Sequence, residues 1–415
     1  MEKRKLLWVS HLVPYPPKGG VLQRSYYLLK ELSRHYTVDL VAFNQASLIA
    51  PFYQNNIEKA LSEAKQHLSN ICNHVEFFPI PNEAGRSGKL GLALKSLLTR
   101  APYTINWLRS SEFERYLHQL AKTENYDLVH FDTISLDIFR HCFNGVPCFL
   151  DHHNIESHML LRRAGNEPNP LKKLYFFQEG LRLKRYEQRV CPLYDGHITC
   201  SDIDTERLRA LTPNSSIKTI PNGVDTHFFK PKGLEQEERT LIFVGTMNWY
   251  PNIEAVLYLC NQVMPLLRDR CDNITLKIIG ANPPAEILKF NSTTTDIKVL
   301  GFVDEIRDHI EKATLYVCPI MDGGGTKLKI LDALGMGKAI VAHRIASEGI
   351  DVMEGQDIIF ADTPTEYCTA IVNLLSDPEK RTRLGEAARK VAIERYDFES
   401  IGQSLSNYYL ERTGH

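Results

Sequence analysis

The sequence predicts an α/β protein with two doubly wound domains, each built on a parallel β-sheet with helices on both faces. Its 415 residues exceed what one hydrophobic core usually holds and suit two domains of about 200 residues each. Short apolar runs alternate with helical stretches through both halves, which is typical of parallel sheets. A polar stretch at 228–239, which includes Pro231 and Gly233, separates the two series of runs.

The predicted strands form two series. The first series is Leu6–Val9, Val38–Ala42, Val75–Phe78, Leu128–Phe131, Cys148–Leu150 and His197–Cys200. The second series is Thr240–Val244, Thr275–Ile279, Lys298–Leu300, Thr314–Cys318 and Ala339–Ala342. A last helix is expected from Tyr396 to about Leu410. Because ligands of such sheets bind beyond the carboxyl ends of the strands, the residues that follow each strand are candidates for a site.

The composition excludes several classes of protein. The hydrophobic fraction of 43% and the charged fraction of 24% are those of an ordinary globular protein. A formal net charge of −1 provides no general attraction to nucleic acid, so no such partner is expected. The 9 cysteines show no Cys-x-x-Cys spacing, which favours reduced thiols and a cytoplasmic location. Leu6–Val9, after a basic start, is too short for secretion or for a membrane span.

The segment Tyr316–Asp351 carries the most informative functional pattern. It contains an apolar strand, three glycines at 323–325, a short helix and a second apolar strand. A glycine turn ahead of a helix leaves backbone N–H groups at the positive end of the helix dipole, which suits a phosphate or diphosphate. Lys327 and Lys329 add positive charge, and Asp332 shares the helix face of Lys329, where it could accept hydrogen bonds from sugar hydroxyls. The pattern predicts a nucleotide-linked ligand; a solvated lysine pair is the alternative.

These residues resemble the donor-binding motif of retaining glycosyltransferases of family 4, which have the Rossmann-like, two-domain GT-B fold. The family's Leu-Glu-Ala-like triplet is similar to Leu331–Ala333, which is followed by the run Gly337–Ala342 and the pair Glu348-Gly349. Two separate stretches agree with this resemblance. Pro221–Asp225 resembles the interdomain motif, and Leu241–Thr246 resembles the first strand of the donor domain. The resemblance spans nearly the whole chain.

The resemblance implies transfer of a sugar from a nucleotide-diphosphate-sugar to a hydroxyl of a saccharide acceptor, with retention of anomeric configuration, in bacterial surface-polysaccharide synthesis. It implies no metal and no cofactor besides the nucleotide sugar. The acceptor-binding domain is expected at 1–229, joined by the C-terminal helix at about 396–415, and the donor-binding domain at 230–395. The reacting groups are expected in an interdomain cleft, where the leaving phosphate helps to take the acceptor proton in a same-face attack.

Two other functions are left open. A nucleotide-sugar 2-epimerase has the same fold, although it needs several ionisable groups beside the sugar ring and the motif at 221–225 argues against it. A non-catalytic binding protein is the other alternative, because the chain departs from the family pattern. Residues 245–252 lack the usual arginine and lysine, and Gly324 stands where the family commonly has a glutamate. In a consistent interpretation, Lys327 and Lys329 meet the diphosphate charge instead.

The resemblance assigns the donor-binding residues. Gly245 and Thr246 follow the first strand of the second half, and Val303 lies where the backbone is expected to hold the nucleobase. Gly19 and Gly20 are expected to let the backbone approach the donor phosphates, with an ordinary strand-to-helix connector as the alternative. The full predicted set is Gly19, Gly20, Gly245, Thr246, Val303, Gly324, Gly325, Thr326, Lys327, Lys329 and Asp332. Lys329 is also assigned to catalysis.

The other candidate catalytic residues follow the fourth and fifth predicted strands. Asp132 is expected to orient the acceptor hydroxyl, whose proton a nearby carboxylate can receive; capping the following helix is the alternative. His153 and Glu156, with Asn154, are expected to touch the acceptor or the donor sugar. The adjacent histidines His152 and His153 lack the i, i+4 spacing of two metal ligands on one helix face, so no metal site is predicted.

A basic, leucine-rich segment bears on the acceptor. Ala84–Arg109 includes Lys89, Lys95, Arg100 and Trp107. Such a segment fits a peripheral contact with the anionic inner face of the cytoplasmic membrane, and hence a glycolipid acceptor. An ordinary amphipathic surface helix is the alternative.

Overall fold

The computed structural model of the chain describes residues 3–17, 20–45, 49–53, 56–81, 91–93, 95–96, 98–99, 101–247, 249–322 and 325–414. The chain divides into two compact units. Unit 1 is Met1–Pro221 with Ile401–His415, and unit 2 is Asn222–Ser400. Each unit contains one parallel sheet with helices, which confirms the predicted fold class. The assignment of acceptor binding to one unit and donor binding to the other stays a prediction.

The sheet of unit 1 has seven strands. They are β1 (Arg4–Ser10), β2 (Tyr36–Asn44), β3 (His74–Pro79), β4 (Leu128–Phe131), β5 (Cys148–His152), β6 (Gly196–Thr199) and β7 (Ile217–Thr219). Their order is β3-β2-β1-β4-β5-β6-β7, and all neighbours are parallel. Strands β4, β5 and β6 are buried at every position, because helices cover both faces of a sheet of this kind.

Helices and short helical turns connect these strands. The α-helices are Gly20–Leu32, Ile57–Leu68, Tyr103–Asn106, Ser111–Thr123, Glu156–Asn166, Pro170–Val190 and Asp202–Leu211, and the 3-10 segments are Ala50–Tyr53, Ile134–Phe143 and Cys191–Leu193. The last helix, Phe398–Thr413, belongs to unit 1 from Ile401 onward. Its Tyr409 ring lies 4.7 Å from the Phe149 ring, and its hydroxyl lies 2.7 Å from His130 Nδ1. The helix is therefore packed against the sheet.

The sheet of unit 2 has six strands. They are β8 (Thr240–Val244), β9 (Thr275–Ile279), β10 (Ile297–Gly301), β11 (Leu315–Cys318), β12 (Ile340–Ala342) and β13 (Ile359–Phe360). Their order is β10-β9-β8-β11-β12-β13, again with parallel neighbours. The buried strand residues pack with the surrounding helices into one hydrophobic core.

The described helices of unit 2 are short, except for the last two along the chain. They are Tyr250–Tyr258, Leu259–Val263 (a π-helix), Met264–Arg268, Ala285–Leu288, Phe290–Thr293, Ile306–Lys312, Leu328–Gly335, Arg344–Ser347 (3-10), Pro364–Ser376 and Pro378–Arg395. Helix Pro364–Ser376 begins with a capping box between Thr363 and Glu366, which satisfies backbone N–H groups of its first turn. Across the described ranges, every helix is too short or too polar to cross a bilayer.

Each sheet has one place where the direction of strand addition reverses. In unit 1 the chain adds β2 and β3 on one side of β1 and then returns to place β4 on the other side. In unit 2 the corresponding neighbours are β8 and β11. Doubly wound sheets bind ligands beside the carboxyl ends of the two strands at this switch point. The residues that follow β1 and β4, and those that follow β8 and β11, are therefore the positions to examine.

Candidate functional site

A buried carboxylate lies at the switch point of unit 1. Asp132 follows β4 and is 0% exposed. Its Oδ2 accepts hydrogen bonds from Ser10 Oγ at 2.8 Å and from Ser25 Oγ at 3.0 Å. Its Oδ1 accepts one from His153 Nε2 at 3.0 Å, and His11 Nδ1 lies 3.6 Å from Oδ2. Residues at the carboxyl ends of β1, β4 and β5 thus converge on one carboxylate.

The Asp132–His153 contact is an ion pair at neutral pH. Burial alone would raise the pKa of Asp132, but the charge of His153, the hydrogen bond from His153 and the nearby His11 ring hold that pKa well below its ordinary value. Burial lowers the pKa of His153, yet the charge of Asp132 and their hydrogen bond raise it well above its ordinary value. The His153 side chain is 9% exposed and that of His11 is 16% exposed. The two imidazoles are therefore more accessible from solvent than the carboxylate.

The structure distinguishes between the roles considered for Asp132 and the adjacent histidines. The segment Ile134–Phe143 begins after Thr133 with no side-chain cap hydrogen bond, so Asp132 is not a helix cap. Successive side chains of a strand point to opposite faces, and the histidine pair at the end of β5 separates accordingly. His152 Nε2 lies 3.1 Å from His197 Nδ1, and burial holds the pKa of His152 well below its ordinary value. Of these two histidines, it is His153 that contacts Asp132.

Two other charged residues of unit 1 have different roles. Glu156 is the first residue of helix Glu156–Asn166 and is partly buried; burial raises its pKa, and the charge of His153 opposes that shift. Arg24 is buried and donates to both oxygens of Asp151 at 3.0 to 3.2 Å and to Ile220 O at 2.9 Å. Glu156 therefore remains a candidate for ligand contact, whereas Arg24 holds the helix Gly20–Leu32 against β5.

Some side chains of unit 1 are close enough to share a metal ion. Among the residues that the structure describes, there are four such sets: His11, Asp132 and His153; His130, Asp132 and Asp151; His152, Cys191 and His197; and His118, His141 and Cys142. In the first two sets the carboxylates are already engaged with His153, two serines or Arg24. Hydrogen bonding and ion pairing account for those contacts without a metal. Metal independence stays a prediction.

A partly buried ammonium lies at the switch point of unit 2. Lys329 is in the first turn of helix Leu328–Gly335. Its Nζ donates to Asn252 Oδ1 and lies 4.9 Å from the ring centroid of Phe243 and 5.8 Å from that of Trp249. Among the described residues no carboxylate forms an ion pair with it. Burial lowers the pKa of Lys329 to about 8, and the charge of Lys327 acts in the same sense.

The Lys329 ammonium is next to the turn that follows β8. A Cβ atom on Gly245 would lie 2.6 Å from Lys329 Nζ and 2.8 Å from Asn252 Cγ, so only glycine fits there without a shift of its neighbours. Asn252 Nδ2 donates to Thr246 O at 2.7 Å. Gly245 and Thr246 are therefore brought together with Lys329, which is far from them in the sequence, around one amide side chain.

Two polar groups just ahead of helix Leu328–Gly335 are buried. Lys327 is 4% exposed, and its Nζ donates to Gly325 O at 2.8 Å. The Thr326 hydroxyl is buried and has no hydrogen-bond partner within the part of the chain that the structure describes. Asp332 is partly buried one turn after Lys329, and its charge supports the protonated form of Lys329. The alternative of a solvated lysine pair does not fit this environment.

The predicted donor-binding set also includes Gly19, Gly20, Val303 and Gly324. Gly19 and Gly324 lie outside the described residues. Gly20 begins the helix Gly20–Leu32, and Val303 follows β10 and packs against the core of unit 2. Their proposed contacts with the donor stay predictions.

Sequence reasoning missed several residues of both groups. His11 directly follows β1, and a polar residue at the end of a central strand was the signal that could have identified it. Trp249 and Asn252 lie in a stretch that was noted only for its lack of charge. The Asn252 amide accepts from Lys329 and donates to Thr246, and this double contact depends on the folded path of the loop.

Two family models match the chain. The model described as Glycosyltransferase Family 4 matches residues 18–228, which include most of unit 1. The model described as Glycosyl transferases group 1 matches residues 238–377, which lie in unit 2. The two matches follow one another along the chain in the order expected from the sequence.

Similar proteins and structures agree with these matches. An uncharacterized 44.6 kDa protein in the cps region of Klebsiella pneumoniae is 23% identical over 97% of this chain and 98% of its own. A GDP-mannose-dependent phosphatidylinositol monomannoside mannosyltransferase of Mycolicibacterium smegmatis is 24% identical over 48% of this chain and 57% of its own. The structure of Anabaena HepE with UDP and glucose has a TM-score of 0.66, with 16% identity and coverage of 98% and 100% of the two chains. This likeness confirms the GT-B fold.

Proposed function

Because this chain belongs to glycosyltransferase family 4, we propose that it transfers a sugar from a nucleoside-diphosphate-sugar to a hydroxyl of a saccharide or glycolipid acceptor, with retention of anomeric configuration. Unit 2 binds the donor and unit 1 binds the acceptor. The relatives support this class of substrates: the mycobacterial enzyme depends on GDP-mannose and acts on a mannoside of phosphatidylinositol, and HepE binds UDP and glucose. The base and the sugar of the donor of this chain are left to experiment.

The Lys329 environment is the observation that carries the proposal. When the bond between the sugar and the diphosphate breaks, negative charge grows on the leaving phosphate oxygen. A positive group that is already positioned in a poorly solvated site stabilises this charge strongly. Lys329 is such a group, because Phe243 and Trp249 limit its solvation and no carboxylate in the described ranges pairs with it. The N-terminus of helix Leu328–Gly335 adds the positive end of its dipole.

We propose that His153 contacts the substrates from unit 1 and that Asp132 acts through it. The imidazolium of His153 can donate a hydrogen bond to an oxygen of the acceptor or of the donor sugar. Asp132 is completely buried, so its role is to orient the ring and keep it protonated. In the proposed step the acceptor oxygen bonds to the anomeric carbon, the bond from that carbon to the diphosphate breaks, and the acceptor proton moves to the leaving phosphate.

The direct test is a transfer assay with panels of nucleotide sugars and acceptors. Nucleoside diphosphate should be released only when donor and acceptor are both present, and the product should keep the anomeric configuration of the donor in its NMR spectrum. Acceptor-independent conversion to a 2-epimer would instead identify an epimerase. Binding without any turnover would identify a non-catalytic protein. A thermal-shift screen of nucleoside diphosphates identifies the base that the protein binds, since a ligand at 100 times its Kd adds about 2.7 kcal/mol to the free energy of unfolding.

Transfer should be insensitive to chelation. If Lys329, Lys327 and the helix dipole neutralise the diphosphate, EDTA should leave the initial rate unchanged, because no metal takes part. The measurement is the initial rate before and after EDTA treatment and dialysis, with manganese or zinc added back. Loss of activity on chelation, with rescue by either metal, would contradict the proposal. His11, Asp132 and His153 would then be candidate metal ligands.

Binding of the nucleoside diphosphate should weaken at alkaline pH. In the free protein the pKa of Lys329 is lowered to about 8, so the ammonium loses its proton above that pH and binding must then take a proton up. Relative to its value near pH 7, the Kd should rise above pH 8 and approach a tenfold increase per pH unit, the limit for one linked proton. Titration calorimetry from pH 6 to 10 measures it, with Lys329→Arg as the control. A flat wild-type profile would exclude Lys329 as the phosphate ligand.

A further inference from the structure

The start of helix Pro170–Val190 presents large apolar side chains to solvent. Leu171 is 79% exposed, Leu174 is 63% exposed and Phe177 is 50% exposed. Their spacing of three residues places them along one side of the first two turns. Asn169 Oδ1 accepts hydrogen bonds from the backbone N–H groups of Leu171 and Lys172, so this exposed turn is capped and held in helical form. We call Leu171, Leu174 and Phe177 the apolar patch.

The charges of the same helix are distributed unevenly. It contains six basic residues, Lys172, Lys173, Arg182, Lys184, Arg185 and Arg189, and two acidic residues, Glu179 and Glu187. Both acidic residues are buried, at 2% and 1% exposure; Glu179 accepts from Tyr103 N and Glu187 from Ser157 N. Lys172, Lys173, Lys184, Arg185 and Arg189 are exposed. The outer side of the helix is therefore basic as well as apolar, although the whole chain has a net charge of −1.

Two neighbouring segments with a basic or an exposed apolar side chain contact helix Pro170–Val190. The Arg163 guanidinium of the adjacent helix Glu156–Asn166 lies 4.1 Å from the centroid of the Phe176 ring, next to the apolar patch in the sequence. Leu98 is 90% exposed and belongs to the segment for which the sequence left membrane contact open. Residues on either side of it are fixed to helix Pro170–Val190, because Arg182 Nη2 donates to Ser96 O at 2.8 Å and to Ala101 O at 3.0 Å.

We propose that this face of helix Pro170–Val190 docks on an anionic membrane surface. The apolar patch would enter the boundary between headgroups and acyl chains, and Lys172 and Lys173 would lie at the level of the anionic headgroups. An apolar face bordered by lysine and arginine is the pattern by which interfacial helices bind such membranes. A protein partner or a second copy of this chain would also cover the patch, but five exposed basic residues with no exposed acid on the helix favour an anionic lipid surface. Membrane docking itself is independent of the proposed function. The further step, that docking brings a glycolipid acceptor to the protein, rests on that function.

The test is co-sedimentation of the purified full chain with phosphatidylcholine vesicles, with and without phosphatidylglycerol. The wild type should pellet with the anionic vesicles, less at higher salt, and should bind the neutral vesicles weakly. The triple variant Leu171→Ser/Leu174→Ser/Phe177→Ser and the double variant Lys172→Gln/Lys173→Gln should each lower the partition coefficient at least about tenfold. The control is Leu288→Ser/Ile393→Ser, which alters unit-2 side chains of similar exposure, 45% and 46%, and should behave as the wild type.

Several outcomes would overturn the proposal. The wild type could fail to bind anionic vesicles, or the control could lose as much binding as the patch variants. Light scattering could also show that the triple variant dissociates a dimer while vesicle binding is unchanged, which would make the patch a subunit interface. The melting temperature and the turnover of a soluble acceptor should stay at wild-type values in all variants. Since sedimentation needs no turnover, failure of the proposed function would leave this test valid.

Discussion

Replacement of Lys329 by alanine should lower kcat/KM about 10²–10³-fold, the loss found when a single group that stabilises developing negative charge is removed. The fold should persist, because the removed ammonium forms no ion pair with a carboxylate in the described ranges and its burial is itself unfavourable, as the lowered pKa shows. Lys329→Met keeps the length of the side chain and should be as inactive as alanine. Steady-state kinetics and the Kd of the nucleoside diphosphate are the measurements, with the melting temperature as the check on folding.

Two lysine variants make the result specific. Lys327→Ala should have a smaller effect, because Lys327 is 4% exposed and donates to Gly325 O, which ties part of its function to the turn. Lys390→Ala should be silent, since that side chain is exposed and, within the described part of the chain, its ion pair is with a surface glutamate, Glu394; such pairs contribute little. Wild-type kinetics in both the Lys327 and the Lys329 variants would place the phosphate site elsewhere.

The sequence predicted the central strands of both sheets closely. The predicted bounds Leu128–Phe131, Thr240–Val244 and Thr275–Ile279 are those of β4, β8 and β9. These strands are buried on both faces, so nearly every residue is apolar and the run ends where the strand ends. The edge strands β7 and β13 were missed. They have three and two residues, none of them buried, and so short a stretch has no apolar run from which it could be recognised.

The local parts of the candidate site were easier to predict than the distant ones. Lys327, Lys329 and Asp332 belong to one turn and helix, so their proximity follows from helix geometry. The contact between Gly245 and Lys329 depends on β8 and β11 being neighbours, which the sequence implied only through resemblance. The approach of His11 to Asp132 depends in the same way on the pairing of β1 with β4. Whether His152 or His153 faces Asp132 depends on where β5 ends. The sequence predicted its end at Leu150, whereas β5 extends to His152, so strand bounds alone could not decide between the two histidines.

The substitution Asp132→Asn should reduce turnover about 10²–10⁴-fold near neutral pH, the range for loss of a positioned acid–base group, and leave the Kd of the nucleoside diphosphate unchanged. In the proposal the nucleotide binds at Lys329 in unit 2, whereas Asp132 lies in unit 1. Asparagine is nearly the same size and can still accept hydrogen bonds from Ser10 or Ser25. The substitution removes the negative charge beside His153. That charge stabilises the protonated form of the His153 ring.

The pH profile separates this role from a structural one. In the wild type the pKa of His153 is raised well above its ordinary value by Asp132, so the imidazolium persists through neutral pH. Without that charge, burial lowers the pKa, and the alkaline limb of kcat/KM should move to lower pH, with activity partly regained in acid. Asp137→Asn is the matched control, because Asp137 accepts from the Tyr186 and Tyr194 hydroxyls at 2.7 and 3.0 Å and should change stability without moving the profile. Normal turnover and an unshifted pH profile in Asp132→Asn would show that Asp132 is a structural residue. The proposed role of the Asp132–His153 pair in the transfer step would then be excluded.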